Sequence, residues 1–201
     1  MKNIAEKNFK SELKFVYSDN KTLSVIFHDN KLYLANSGIL PNADNNQGGM
    51  VIVDTENFVV DAIIDTLELD GLGEIYGVNQ NDDSWLTINQ IVKDEYSKIW
   101  VINPYPEHTQ NILAYYDTMN NSWGHVQAPD ETSYLPQEIA FDKWGRVWVA
   151  FRYEMTIPPP GESAIIYSNG GLKLFSPNSG WRTISNLESL PGNNPNVSVW
   201  S

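Results

Sequence analysis

The chain has 201 residues, a formal net charge of −12, no cysteine and a 12% aromatic share that includes seven Trp and ten Tyr. Its acidity argues against a nucleic-acid backbone or an anionic membrane as partner, since both need clustered Lys and Arg. The missing cysteines exclude disulfides, Cys-type zinc sites and thiol nucleophiles, and no run reaches the ~18 apolar residues needed to span a bilayer.

Frequent Asn, Gly and Pro, with few Ala-, Leu- or Glu-rich stretches, favour strands and turns over helices. Met1 to Lys14 is polar and lacks the apolar core of a signal peptide. Leu13 to Tyr17 reads as a strand, either the last of a preceding unit or a lead-in.

Repetition begins near Lys21. The first unit, 21–66, opens with Val25-Ile26-Phe27-His28-Asp29-Asn30-Lys31-Leu32-Tyr33-Leu34-Ala35. Asp29-Asn30 suits a two-residue hairpin. Gly49 to Phe58 follows as an apolar strand, a polar turn and an aromatic. A long linker, Leu67 to Ser84, leads to the second unit, 86–127.

Ile91-Val92-Lys93-Asp94-Glu95-Tyr96-Ser97-Lys98-Ile99-Trp100-Val101-Ile102 then aligns without a gap on Ile139-Ala140-Phe141-Asp142-Lys143-Trp144-Gly145-Arg146-Val147-Trp148-Val149-Ala150 of the third unit, 135–185. The offset from Asp94 to Asp142 is 48 residues. Tyr33, Trp100 and Trp148 form one column of large rings. Asp142 and Gly145 explain the third unit's turn, through a side-chain cap and a positive φ. Ser97 stands where Gly145 does, which predicts a turn built differently. Ile112 to Trp123 and Gly171 to Trp181 repeat the second half-motif.

In Arg146 to Phe151, Val147, Val149 and Phe151 face one way, and Trp148 and Ala150 the other. Both faces are apolar, as in radially stacked blades whose middle strands are covered on both sides. A sandwich with a solvated face would alternate apolar and polar. The fold expected is therefore all-β: a partial β-propeller of about three four-stranded antiparallel blades, one incomplete domain over 1–201. The ring column is expected to pack between blades. Leu187 to Ser201 parallels Tyr134 to Phe141, so 190–201 is read as the start of a further blade, and the chain as a fragment whose remaining blades lie in the same parent protein.

Leu135-Pro136, Ile139 to Ala150 and Gly170-Gly171-Leu172-Lys173-Leu174-Phe175 resemble the two-component regulator propeller repeat: Leu-Pro, a short apolar strand, Asp, a Gly turn, an apolar–Trp strand and a Gly-Gly-Leu strand. The first unit departs from it with Tyr33 for Trp, and the second lacks the Gly-Gly-Leu feature. Tyr116-Asp117 and Trp123 also echo kelch repeats, without their double glycine. The resemblance implies a bacterial, periplasmic or cell-surface, non-enzymatic module that binds a ligand or protein partner. Its parent would be a sensor or a surface protein associated with type IX secretion. The repeats share no catalytic residue, so none carries over. The alternative is a propeller enzyme of lyase or lactonase type, completed by further blades.

No Gly-x-Ser-x-Gly elbow, phosphate-binding Gly loop or metal-ligand spacing is present, and no cofactor or metal is expected. His28 and His125 read as surface residues. Loops joining second to third strands gather at one end of a propeller, and here they carry Asn36, Asn103, Tyr105, His108, Arg152 and Tyr153. That mixture of aromatic and hydrogen-bonding groups suits a carbohydrate, peptide or protein ligand. Met155 to Pro160 reads as a Pro-rich insertion covering a blade edge.

Overall fold

Three sheets, each a simple antiparallel meander of four strands, make up the protein in the computed structural model, which describes residues 21–37, 48–64, 71–72, 75, 77–78, 84–104, 106, 111–129, 135–155, 159–163, 166–168 and 170–183. Blade one is β1 (Lys21–His28), β2 (Lys31–Ser37), β3 (Gly49–Asp54) and β4 (Val59–Ile64). A short ribbon, β5 (Gly77–Val78) with β6 (Ser84–Trp85), follows. Blade two is β7 (Gln90–Lys93), β8 (Lys98–Ile102), β9 (Asn111–Asp117) and β10 (Ser122–Gln127). Blade three is β11 (Leu135–Phe141), β12 (Val147–Arg152), β15 (Gly171–Ser176) and β16 (Gly180–Thr183), with a second ribbon, β13 (Glu154–Met155) and β14 (Ile166–Ser168), inserted between β12 and β15. No α-helix occurs among the described residues, and the three sheets form an arc of propeller blades rather than a closed barrel.

The core lies between blades. Tyr33, Ala35, Met50 and Ile52 of blade one meet Ile91, Ile99, Val101 and Ala114 of blade two. Trp100, Ile102, Leu113 and Val126 then turn to the opposite side and meet Ile139, Val147, Val149 and Phe151 of blade three. Alternation along β8 therefore buries both of its faces, which is why its sequence is apolar throughout. Tyr33 and Trp100 are each only 2% exposed. Trp100 reaches across to Phe141, with ring centroids 5.8 Å apart, and Tyr33 to Tyr116 at 6.4 Å. These tilted pairs are the inter-blade wedges expected of the ring column.

One end of the blades is closed by tight turns held by carboxylates. Asp94 accepts the Tyr96 and Lys98 backbone N–H groups, each at 2.9 Å, and the Trp100 indole N–H at 2.9 Å. Asp142 repeats the pattern with Trp144 N–H, Arg146 N–H and the Trp148 indole at 3.1 Å, adding the Arg146 guanidinium. The aspartate thus fastens the turn to the wedge ring. Ser97 differs from the sequence expectation: its φ of 64° matches the 69° of Gly145, so both turns have the same build. The Thr118 N–H and hydroxyl both donate to Ser97 O and hold this residue in the left-handed region. Thr55 makes the same pair of bonds to Asn30 O in blade one, where Asp29 and Asn30 both have positive φ, as a two-residue hairpin requires.

Candidate ligand-binding face

Register places the C-terminal ends of β2, β8 and β12 at the end of the arc opposite the tight turns, beside the N-terminal ends of β1, β7 and β11. The long connections leave from here. Asn36 is the penultimate residue of β2 and is buried. Asn103 directly follows β8 and is fully buried, and Arg152 ends β12, half-buried, opposite Leu135. Asn36, Asn103 and Phe151 occupy one repeat position, three residues beyond Tyr33, Trp100 and Trp148. Tyr105 and His108 lie outside the described residues.

The described candidates do different work. Asn103 donates its amide N–H to Ile75 O at 2.6 Å, which ties it to the linker after blade one. Tyr153 stands at the root of the β13–β14 ribbon. A Cβ on Gly170 would lie 2.7 Å from that of Tyr153, so the close approach of the ribbon's two legs requires glycine. Asn36 supplies its carbonyl to Ile88 N–H at 3.4 Å, while its side-chain Oδ1 is buried with no hydrogen-bond partner. Asn89 Oδ1, one residue before β7, is in the same condition.

Sequence reasoning missed the linker's role. Leu72 and Ile75 of the linker, with Leu86 and Ile88 just after it, are fully buried, and they join the core between blades one and two. His125 extends from β10 to bond Gly71 O at 2.8 Å and is thus half-buried rather than a plain surface residue. Gly71 itself sits so close to Trp123 that an added Cβ would lie 2.8 Å from the indole nitrogen. The advance signal was the scatter of apolar residues, Leu72, Ile75, Leu86 and Ile88 among them, through a stretch rich in Asp, Glu, Asn and Gly. His28, beside its hairpin turn, bonds Thr118 Oγ1 at 3.2 Å and lies 3.2 Å from Asp29.

The electrostatics of the two ends contrast. At the turn end, burial works to raise the Asp142 carboxyl, but the Trp144, Trp148 and Arg146 donors outweigh it and hold the group at about 2. Hydrogen bonds from the Asn57 N–H and amide lower Asp54, and the Asn120 amide lowers Asp117. At the loop end the buried polar residues Asn36 and Asn103 are uncharged amides, beside the half-buried Arg152. Among the described residues no three or more His, Asp or Glu side chains converge as a metal site would need, and no helix is long and apolar enough to cross a membrane.

No protein-family model matches the chain, and no curated protein matches it. Solved structures do. One is described as the extracellular domain of a one-component system from B. thetaiotaomicron, at 16% identity and a TM-score of 0.42, covering 82% of this chain and 23% of that one. Another is described as the extracellular domain of a hybrid two-component system from the same organism, at 15% identity and a TM-score of 0.28, covering 83% of this chain and 28% of that one. The chain thus spans about a quarter of each. At these identities and TM-scores neither likeness carries an argument about function.

Proposed function

We propose that this chain is part of a non-enzymatic binding or scaffold propeller, with the loop end as its binding face. The observation that carries this reading is the pair of buried, unpartnered amide oxygens, Asn36 Oδ1 and Asn89 Oδ1, at that end. A buried acceptor without a donor costs about 1–3 kcal/mol, and native proteins keep few of them. A ligand that offers hydroxyl or amide donors, as a carbohydrate or a peptide does, would recover that cost. The tight turns at the opposite end make the blades a stiff support for the loops, and rigid scaffolds commonly present function in this way.

An extracytoplasmic setting, in a bacterial sensor or a secretion-associated surface protein, rests on the resemblance of Leu135 to Phe175 to the two-component regulator propeller repeat. Isothermal calorimetry of the chain against a panel of oligosaccharides and peptides tests the reading. The expected result is a ligand whose affinity falls at least tenfold in Asn36→Leu. Binding that is absent across the panel, or indifferent to Asn36 and Asn89, overturns it.

A further inference from the structure

Ser24, Gln90 and Glu138 hold the same place on the three innermost strands, opposite Ala35, Ile102 and Ala150 in register. In the first two blades this side chain crosses to the blade that follows. Ser24 Oγ donates to Ile91 O at 3.3 Å, and Gln90 Oε1 accepts from Ile139 N–H at 3.0 Å. The ring column crosses in the same direction, burying Tyr33 and Trp100. On blade three the equivalent surface is uncovered: Glu138 and Ala140 are exposed, and Trp148 and Ala150 partly so. Glu138 offers side-chain acceptor oxygens in the position where Gln90 uses its own, so it is suited to a backbone N–H of a neighbouring strand.

We propose that this flank of blade three is the docking surface for residues 190–201 of the same chain, entering as a further innermost strand. Glu138 accepts a backbone N–H from that strand, and Trp148 packs against it. Three observations name the occupant. Leu190-Pro191 repeats Leu135-Pro136, which opens β11. Residues 184–189 separate it from β16, much as 128–134 separate β10 from β11. Val197 and Val199 then alternate as Ile139 and Phe141 do, at six and eight residues beyond Pro191 where Ile139 and Phe141 stand three and five beyond Pro136. The competing occupant is a second copy, because Val25 and Phe27 on β1 hold the places of Ile139 and Phe141 and are 52% and 61% exposed. The short connection from β16 favours the chain's own segment. This inference is independent of what the loop end binds.

The natural chain has no cysteine, so paired substitutions report without background. Glu138→Cys is combined in turn with Val197→Cys, Ser198→Cys and Val199→Cys, oxidised at low protein concentration and resolved by non-reducing electrophoresis. A disulfide requires Cα atoms within about 7 Å. At least one pair should close within a single chain more than tenfold faster than the control pair Glu138→Cys with Ser185→Cys. A covalent dimer as the main product overturns the proposal in favour of a second copy, and no fast product in any pair overturns it outright. Should the cysteine variants fail to fold, amide exchange on the unaltered chain decides. Protection of at least one amide within 197–200 by tenfold or more is the expected result, and exchange of all four at the unfolded rate refutes it.

Discussion

Replacing Trp100 by Phe keeps an aromatic ring on Phe141 and Tyr115 but removes the indole N–H that Asp94 accepts at 2.9 Å. Asp94 is buried, so water does not freely take the donor's place. A hydrogen bond to a charged group contributes about 1.5–3 kcal/mol. The space vacated by the larger ring adds about 1 kcal/mol, at the low end for large-to-small core changes. Trp100→Phe should therefore cost about 2.5–4 kcal/mol. Trp148→Phe removes the matching bond to Asp142, but that carboxylate keeps the Arg146 guanidinium and Trp148 is only half-buried, so a loss of about 1 kcal/mol is expected. Urea unfolding of both variants measures the difference, which at an m-value of about 2 kcal/mol/M separates their midpoints by roughly 1 M. Equal costs, or a larger cost at Trp148, would refute the claim that burial between blades sets the value of this bond. So would a Trp100→Phe cost that persists undiminished in an Asp94→Ala background.

Phe58 has a φ of 55° and is 57% exposed, in the turn position that Asn121 and Gly180 fill in the other blades. Phe58→Asn should gain about 0.5–1 kcal/mol and raise Tm by about 1–4 °C in calorimetry, since Asn tolerates the left-handed region. Asp142 is held at about 2 against an ordinary 3.8, so the stability its ionised form contributes is complete above pH 3.8 and is lost as pH falls through about 2. Asp142→Asn should be less stable than the natural chain at pH 5 and should lose less stability between pH 4 and pH 2; equal acid slopes in urea titrations would contradict this. Asn103→Ala leaves Ile75 O without its donor and should cost about 1–3 kcal/mol, with amide exchange accelerating first at Leu72 and Ile75. An unchanged exchange pattern there would remove Asn103 as the anchor of the linker.

What the sequence made legible is what repeats locally. The ring column, the two-sided apolar strands and the Asp–Gly turn of blade three are each set within a dozen residues, and period-2 alternation determines which faces are buried. Ser97 was not legible because its turn depends on Thr118, 21 residues away, whose two bonds to Ser97 O offset the cost of a positive φ. The linker was misread for a related reason. Leu72 and Ile75 of the linker have no sustained period, and only the groove between blades one and two makes them core. Asn103 reads as a loop polar residue until Ile75 is placed beside it.

The same contrast separates support from recognition in this molecule. At the turn end Asp54, Asp94, Asp117 and Asp142 each accept at least two nearby backbone N–H groups. Those carboxylates are engaged locally, and their hydrogen bonds fix the hairpins. At the loop end, beside the half-buried Arg152, stand the amides Asn36, Asn89 and Asn103, drawn from different parts of the chain. Asn103 is bound to the linker, whereas Asn36 and Asn89 keep buried oxygens without donors. Substitutions at the turn end should therefore register in stability and acid sensitivity, and those at Asn36 and Asn89 in ligand affinity. An Asn36→Leu variant that keeps its affinity but gains stability would mean that the buried oxygen is a packing defect rather than a binding group, because an apolar side chain of similar size relieves an unsatisfied acceptor without needing a ligand.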